Sequence, residues 1–383
     1  MIINNSVKYV GVNDHDIDLF EGQYRVPDGM AYNSYAIIDE KIAIMDSVDI
    51  RFADQWLKNI KRVLGERSPD YLVVQHMEPD HSSSIMRFVE SFPHAVIVAS
   101  AKAFNMIKGF FGVDFSDKRI IVGEGDRLSL GERELRFFTA AMVHWPEVIV
   151  SYEQRDKILF SADAFGKFGA LDTEGDWTDE ARRYYIGIVG KYGAQVQALL
   201  KKVSAIDVEM ICPLHGPVLS KNLGYYINLY DVWSSYRPES DGVCIAYTSV
   251  YGNTKRAAEL LKSLLEEKGV KIAVSDLARC DIHKAVEDAF RYDRLVLATT
   301  TYNADIFPFM KEFIDHLTER NYQNRRVAFI ENGSWAPMAT RIMKSMLEKS
   351  KDLTFAKTEV KIISALNDES VNQIISLAEE FSK

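Results

Sequence analysis

The chain has 383 residues, 47% of them hydrophobic and 26% charged, with a formal net charge of -9 at pH 7. That length exceeds one ordinary core and predicts two domains, and the acidic balance argues against a general nucleic-acid binder. No run approaches the roughly 20 apolar residues of a membrane span, "MIINNSVKYV" lacks a basic start followed by a long apolar stretch, and Cys212, Cys244 and Cys280 form no CxxC pair. A cytoplasmic protein is therefore expected, without a membrane partner, in which any metal is held by histidines and carboxylates.

From the N-terminus, "YNSYAIIDEKIAIMDSV" predicts two strands joined at a turn containing Asp39. Phe52, Trp56, Ile60, Val63 and Leu64 then recur at helical spacing. The run "YLVV", Tyr71 to Val74, reads as a buried strand, and mixed β continues through "RIIVGEGDRLSL", "RELRFFTAA" and "VIVSYEQRDKILFSADAF". The rhythm changes across "SSYRPESDG", Ser234 to Gly242, where Pro238 and polar neighbours predict a linker. Beyond it "VCIAYT", "VKIAVSD", "RLVLATTTY", "RRVAFIEN" and "TEVKII" alternate with helical stretches, the first from about Lys255 to Lys268 and stopped by Gly269. Such alternation predicts a parallel sheet covered on both faces. The expected domains are residues 1–238 and 239–383.

Immediately after the strand run, "QHMEPDHS" crowds His76, Glu78, Asp80 and His81 onto one short loop. Alone this is as compatible with a solvated turn as with a metal site. Three further candidates, His144 in "AAMVHWPE", Asp163 in "LFSADAFG" and His215 in "CPLHGP", also follow strand-like runs and can converge on one edge of a β-sandwich. Two metals about 3.5–4 Å apart need such an inventory, including a carboxylate able to bridge. His15, His94, His283 and His316 have no comparable companions and read as surface or packing residues.

In the second half, "SVYGNT", Ser249 to Thr254, links a strand directly to a helix. Backbone amides, the Ser249 and Thr254 hydroxyls and the helix dipole would meet there around a phosphate. It is neither GxGxxG nor a Walker loop, which disfavours a dinucleotide or NTP. Ser249, Gly252, Asn253 and Thr254 instead resemble the FMN phosphate loop of flavodoxin, with Val250 and Tyr251 contributing backbone; Val250 stands where a hydroxyl is common. The later strand ends "TTTYNAD" and "ENGSWAP" form the other edges of that crevice. Thr300, Thr301, Tyr302 and Asn303 come from the first; Asn332, Gly333, Ser334 and Trp335 come from the second. Tyr302 and Trp335 can cover a flat ring.

The order His-x-Glu-x-Asp-His, His, Asp, His resembles the metallo-β-lactamase fold, with Glu78 where zinc hydrolases of that fold usually carry histidine. A carboxylate there shifts the site toward harder, redox-active iron. Together with the flavin loop, the whole chain resembles the flavodiiron proteins. The resemblance implies a metallo-β-lactamase-like αββα sandwich followed by a flavodoxin-like doubly wound parallel sheet, α+β and then α/β. It implies FMN and a non-haem pair of irons, with His76, Glu78 and His144 on one iron, Asp80 and His215 on the other and Asp163 between them. His81 is a ligand in some members and not in others. Tyr24 matches a position placed over the metals but outside their ligand set. Glu147, Val148 and Ile149 are less polar than the residues common after this motif, which leaves hydrogen bonding behind the ligands open.

The implied activity is oxidoreductase: electrons enter through FMN and O2 is reduced to water, with NO reduction to N2O as the alternative. A zinc hydrolase with a regulatory flavodoxin-like half and an electron-transfer module that has lost its metals are the remaining readings; Glu78 argues against the first and the complete ligand set against the second. No rubredoxin-like pair of CxxC motifs is present, so an external donor is expected, rubredoxin by resemblance. A head-to-tail homodimer is expected on the same ground.

Overall fold

The computed structural model describes residues 3–383. They divide into two compact units, one reaching Asp231 and the other running from Val232 to Lys383. The division falls inside the helix Leu223–Ser234, because its last turn joins the second unit: Trp233 Nε1 donates to Glu239 Oε2 at 2.7 Å. The next strand, Ser240–Tyr247, starts within the stretch expected to be linker.

The first unit packs two sheets face to face. One has six strands, in the order Val7–Tyr9, Tyr35–Ile38, Ile42–Met45, Tyr71–Val74, Val96–Ala99 and Arg119–Ile121, antiparallel over the first three and parallel beyond. The other has five, Arg127–Ser129, Glu134–Thr139, Ile149–Glu153, Ile158–Phe160 and Met210–Cys212, with only the last pair parallel. Alternate residues point between the sheets. Tyr35, Ile37, Ala43, Met45, Tyr71 and Val73 meet Leu135, Phe137, Ile149, Ile158 and Phe160 there in one core. Ile44, Leu72 and Val74, on the opposite face, are equally buried, so these strands read as continuous apolar runs. The helix Ala53–Leu64 buries Trp56, Leu57, Ile60 and Leu64 on one stripe.

The second unit is a parallel sheet in the order Ile272–Asp276, Ser240–Tyr247, Tyr292–Tyr302 and Arg326–Asn332, the last pairing with both Thr354–Phe355 and Val360–Ile362. In chain order this is 2-1-3-4-5, the flavodoxin order, with its crevice where the first and third strands diverge. The helix Asn253–Glu267 packs Ala257, Ala258, Leu261 and Leu265 against Val243, Ile245 and Val296. It begins two residues before the expected Lys255, because Gly252 at φ 87° supplies the turn into it.

Because Phe137 is fully buried between the two sheets, Phe137→Ala is expected to destabilise the first unit by about 3–5 kcal/mol. Urea unfolding followed by near-UV circular dichroism should show the lower midpoint; an unchanged midpoint would contradict this placement of the core.

Candidate metal centre and flavin cavity

The seven histidines and acids singled out from the first half all come together. Tyr71–Val74 ends just before His76, and Glu78 stands at the N-cap of the short helix Pro79–Ser82, whose proline occupies the first helical position. Asp80 and His81 lie on that helix. His144 precedes Ile149–Glu153, Asp163 follows Ile158–Phe160, and His215 follows Met210–Cys212.

Two donor groups form: His76, Glu78, His144 and Asp163, and beside them Asp80, His81 and His215. Asp163 faces both. Its Oδ2 lies 3.3 Å from His76 Nε2 and 3.2 Å from His144 Nε2, and its Oδ1 lies 3.3 Å from His81 Nε2 and 3.7 Å from His215 Nε2. Glu78 Oε2 sits 3.3 Å from His76 Nε2 and 3.0 Å from His144 Nε2. Asp80 Oδ2 lies 3.2 Å from His81 Nε2 and 3.4 Å from His215 Nε2. His81 is thus gathered into the second group, where its Nε2 meets His215 Nε2 at 3.0 Å.

The imidazoles are aimed from behind. His76 Nδ1 hydrogen-bonds Glu147 Oε1 at 2.8 Å, and the same oxygen accepts from the backbone N–H of Met77. His215 Nδ1 donates to the Ala31 carbonyl at 2.7 Å. Fixing Nδ1 this way leaves Nε2 as the free ligand atom. Asp46 holds the base of the loop, accepting from Gln75 N, Gln75 Nε2 and His76 N. Burial, opposed by His81 and these bonds, pushes the Asp46 pKa up to about 6.

The charges show what the cluster lacks. Burial works against a charged imidazole at His76, yet Asp163, Glu147 and Glu78 hold its pKa well above the usual value. His144 is raised to about 9, burial being outweighed by Asp163 and Glu78. Burial would raise the Asp163 carboxyl, but His76, His144 and His81 hold it well below the carboxylate range, and Glu78 is lowered likewise by His144 and His76. Both oxygens of Asp80 and of Asp163 are buried without a well-directed hydrogen bond among the described residues. Buried acids that face only imidazole nitrogens demand positive charge at two points, and the nitrogen and oxygen donor set suits divalent iron. The residues therefore fit a pair of metal ions bridged by Asp163.

Several neighbours were not legible as site residues. Tyr184 packs its ring 5.4 Å from His215, and its buried hydroxyl has no partner among the described residues. Burial, then the charges of Asp163, Glu78 and Asp80, hold that phenol well above its ordinary pKa. Glu21 lies at the tip of the hairpin formed by Leu19–Phe20 and Tyr24–Arg25, where Gln23 Nε2 donates to its Oε2 at 3.3 Å. Burial of its carboxyl and the Glu78 charge push its pKa up to about 7. Tyr24, expected over the metals, is buried, and its hydroxyl donates to the Gly187 carbonyl at 2.9 Å, in the π-turn Tyr185–Val189. Outside the cluster, His15 pairs with Asp172, and His283 and His316 pack ring on ring.

The second unit holds a cavity of about 460 Å³ at the carboxyl ends of its strands. Its lining brings the three expected loops together: Ser249, Val250, Tyr251, Asn253 and Thr254, then Thr300, Thr301, Tyr302 and Asn303, then Asn332, Gly333, Ser334 and Trp335. Gly252 is not in the lining; it shapes the turn and donates its N–H to Ser249 Oγ at 3.1 Å. Asn332 Nδ2 donates to Thr254 Oγ1 and to the Ser364 carbonyl, tying the walls together. Ala304 and Ser364 complete the lining, and the sequence did not single them out. Tyr251 and Trp335 are 90% and 83% exposed at the rim. A helix N-terminus, hydroxyls and a pocket of this size fit a flavin mononucleotide.

Comparison with known proteins agrees with both halves. Residues 30–216 match the family described as "ODP family beta lactamase", and residues 244–361 match "Flavodoxin domain". Anaerobic nitric oxide reductase flavorubredoxin of Escherichia coli is 27% identical over 371 residues, covering 92% of this chain and 77% of its own. Rubredoxin oxygen:oxidoreductase from Desulfovibrio gigas superposes with a TM-score of 0.93 at 23% identity, over 100% of this chain and 97% of its own. The flavodiiron protein from Giardia intestinalis superposes with a TM-score of 0.92 at 24% identity, over 99% and 96%. A β-lactamase-like unit with a two-metal donor set, continuous with a flavodoxin domain, defines a flavin-linked metalloprotein. The chain carries an ODP-family β-lactamase domain followed by a flavodoxin domain, and its fold is that of the flavodiiron proteins.

Glu147→Ala removes the acceptor that orients His76. Iron affinity is expected to fall about 10- to 100-fold, read as iron lost to a graded chelator, while FMN content, set in the other unit, stays unchanged.

Proposed function

We propose that the chain is an oxidoreductase that takes electrons through FMN and reduces O2 to water at a non-haem pair of irons. The observation that carries this is Asp163, one oxygen turned to each of two donor groups. His76, Glu78 and His144 would hold one iron; Asp80, His81 and His215 would hold the other; Asp163 would bridge. Reduced flavin and two ferrous ions together supply the four electrons that O2 needs to reach water without releasing peroxide. Around them, the protein's groups orient and protonate. Glu147 and the Ala31 carbonyl fix the His76 and His215 rings. Tyr184 presents a hydroxyl proton beside Asp163, Glu78 and Asp80, and Phe20 and Tyr32 cover His215 with apolar ring surface that excludes water.

NO reduction to N2O is the second reading, supported by the E. coli relatives, which are named nitric oxide reductases. Both gases are small, apolar and diatomic, and the donor set serves either. Glu78 in place of a third imidazole speaks against a zinc hydrolase.

In the flavin cavity, Ser249 to Thr254 would hold the phosphate, while Tyr302 and Trp335 would flank the ring with Asn303, Asn332 and Gly333 at its polar edge. An external one-electron donor, rubredoxin in the D. gigas protein's name, would feed it. No helix among the described residues is long and apolar enough to cross a membrane, and a cytoplasmic site of action is consistent with that.

Purified protein should be yellow, with about one FMN and two irons per chain. Asp163→Ala should lose iron and all turnover with either gas while keeping its flavin; zinc without flavin in the native protein would overturn the assignment. Rates with O2 and with NO under anaerobic control then decide which gas is the substrate.

The exposed rim aromatics Tyr251 and Trp335 support a head-to-tail homodimer in which the flavin cavity of one copy serves the metal cluster of its partner, as closed two-fold pairing allows. Mixing a variant changed at Asn253 and Thr254 with Asp163→Ala should restore activity after subunit exchange. Demonstrated exchange with no recovery would place the electron path within one chain.

A further inference from the structure

The loop that carries Asp163 is bent against the preference of its own residues. Ala162 stands at φ 49° and Phe165 at φ 66°, left-handed values that a bulky side chain adopts only where its surroundings impose them. Inside the loop the backbone closes on itself: Ala164 N donates to the Ser161 carbonyl, Gly166 N to the Asp163 carbonyl, and Ser161 Oγ to the Ala164 carbonyl at 2.6 Å. The neighbouring strand end adds one more bond, from Leu214 N to the Ala162 carbonyl. None of these engages the Phe165 amide or ring. That N–H donates instead to the Tyr230 hydroxyl at 2.5 Å, and the ring stacks on the same tyrosine, with centroids 4.2 Å apart and planes 28° from parallel. Tyr230 comes from the helix Leu223–Ser234 and is fully buried.

One side chain therefore grips the left-handed residue at both its amide and its ring, two positions after the acid. The far side of the loop leaves no slack. A Cβ on Gly166 would stand 3.0 Å from the Asp163 carbonyl oxygen, 3.3 Å from the Tyr184 ring and 3.4 Å from His215 Cβ, so the turn is wedged between Tyr230 and the site. Asp163 has to aim Oδ2 at His76 and His144 and Oδ1 at His81 and His215. A small rotation of its backbone moves both oxygens at once, so whatever holds the turn holds both metal positions. We propose that Tyr230 is a positioning residue for Asp163, acting through the Phe165 amide to keep the carboxylate aimed at both donor groups. The inference rests on the diiron assignment. It sets Tyr230 apart from Glu147, which orients the single ring of His76.

Cobalt(II), followed by its visible absorption, tests this without turnover. FMN-loaded, iron-free protein is titrated anaerobically with Co2+ as native chain, Tyr230→Phe and Glu147→Ala. Tyr230→Phe keeps the stacked ring and removes only the hydroxyl. Both ions should then bind at least about tenfold more weakly than in the native chain, whereas Glu147→Ala should weaken one. The near-UV circular dichroism of metal-free Tyr230→Phe should stay native. In the Asp163→Ala background the same change should cost no further affinity, because the group it acts through is gone. Unchanged affinities, or weakening of one ion alone, would overturn the proposal. Loss of the native near-UV spectrum, or an equal cost in the Asp163→Ala background, would overturn it too, by making the hydroxyl a requirement of the fold at large. A native chain that binds fewer than two ions would instead overturn the diiron assignment.

Discussion

The first unit is organised around a single carboxylate. Asp163 is fully buried, and each of its oxygens faces a different pair of imidazole nitrogens. Its partners are imidazole nitrogens, so an ionised acid there calls for positive charge beside it, on the rings or on metal ions that they hold together. The raised His76, His81 and His144 and the depressed Asp163 and Glu78 are one phenomenon seen from two sides. The strand ends, the Glu147 and Ala31 anchors and the Asp46 bonds all serve to keep those groups close despite the charge they concentrate.

The second unit solves a milder problem with the same means. Its strands also stop at one edge and hand over to loops, but the loops offer hydroxyls, amides and a helix N-terminus rather than acids. Positive potential comes from the backbone dipole, so no lysine is needed at the phosphate position. The exposed aromatics at its rim and the aromatic cover on His215 in the first unit divide the chemistry in a consistent way. Apolar rings cover His215 in the first unit, whereas the aromatics at the rim of the second unit's cavity are open.

Much of this was legible in the chain. His76 to His81, His144, Asp163 and His215 each follow or precede an apolar run, so the strand pattern and the ligand pattern announce each other. The phosphate loop was legible because strand, loop and helix are contiguous. Glu21 was not, since its hairpin strands have two residues each, too short for any periodicity to register, and Glu78, whose charge acts on it, lies far along the chain. Glu147 was read for polarity alone, whereas its importance comes from one oxygen shared between a ring nitrogen and a backbone amide. Tyr184 sits in a helix whose burial pattern looks like ordinary packing; only its unsatisfied hydroxyl distinguishes it. Ala304 and Ser364 both take positive φ, a conformation that their residue types do not advertise.

The sheets behind the cluster are closed by apolar contacts that involve none of the seven donors. The packing that carries the site and the chemistry of the site are therefore written in different residues, so that a donor can be exchanged for another residue type while the sandwich that presents it is left standing.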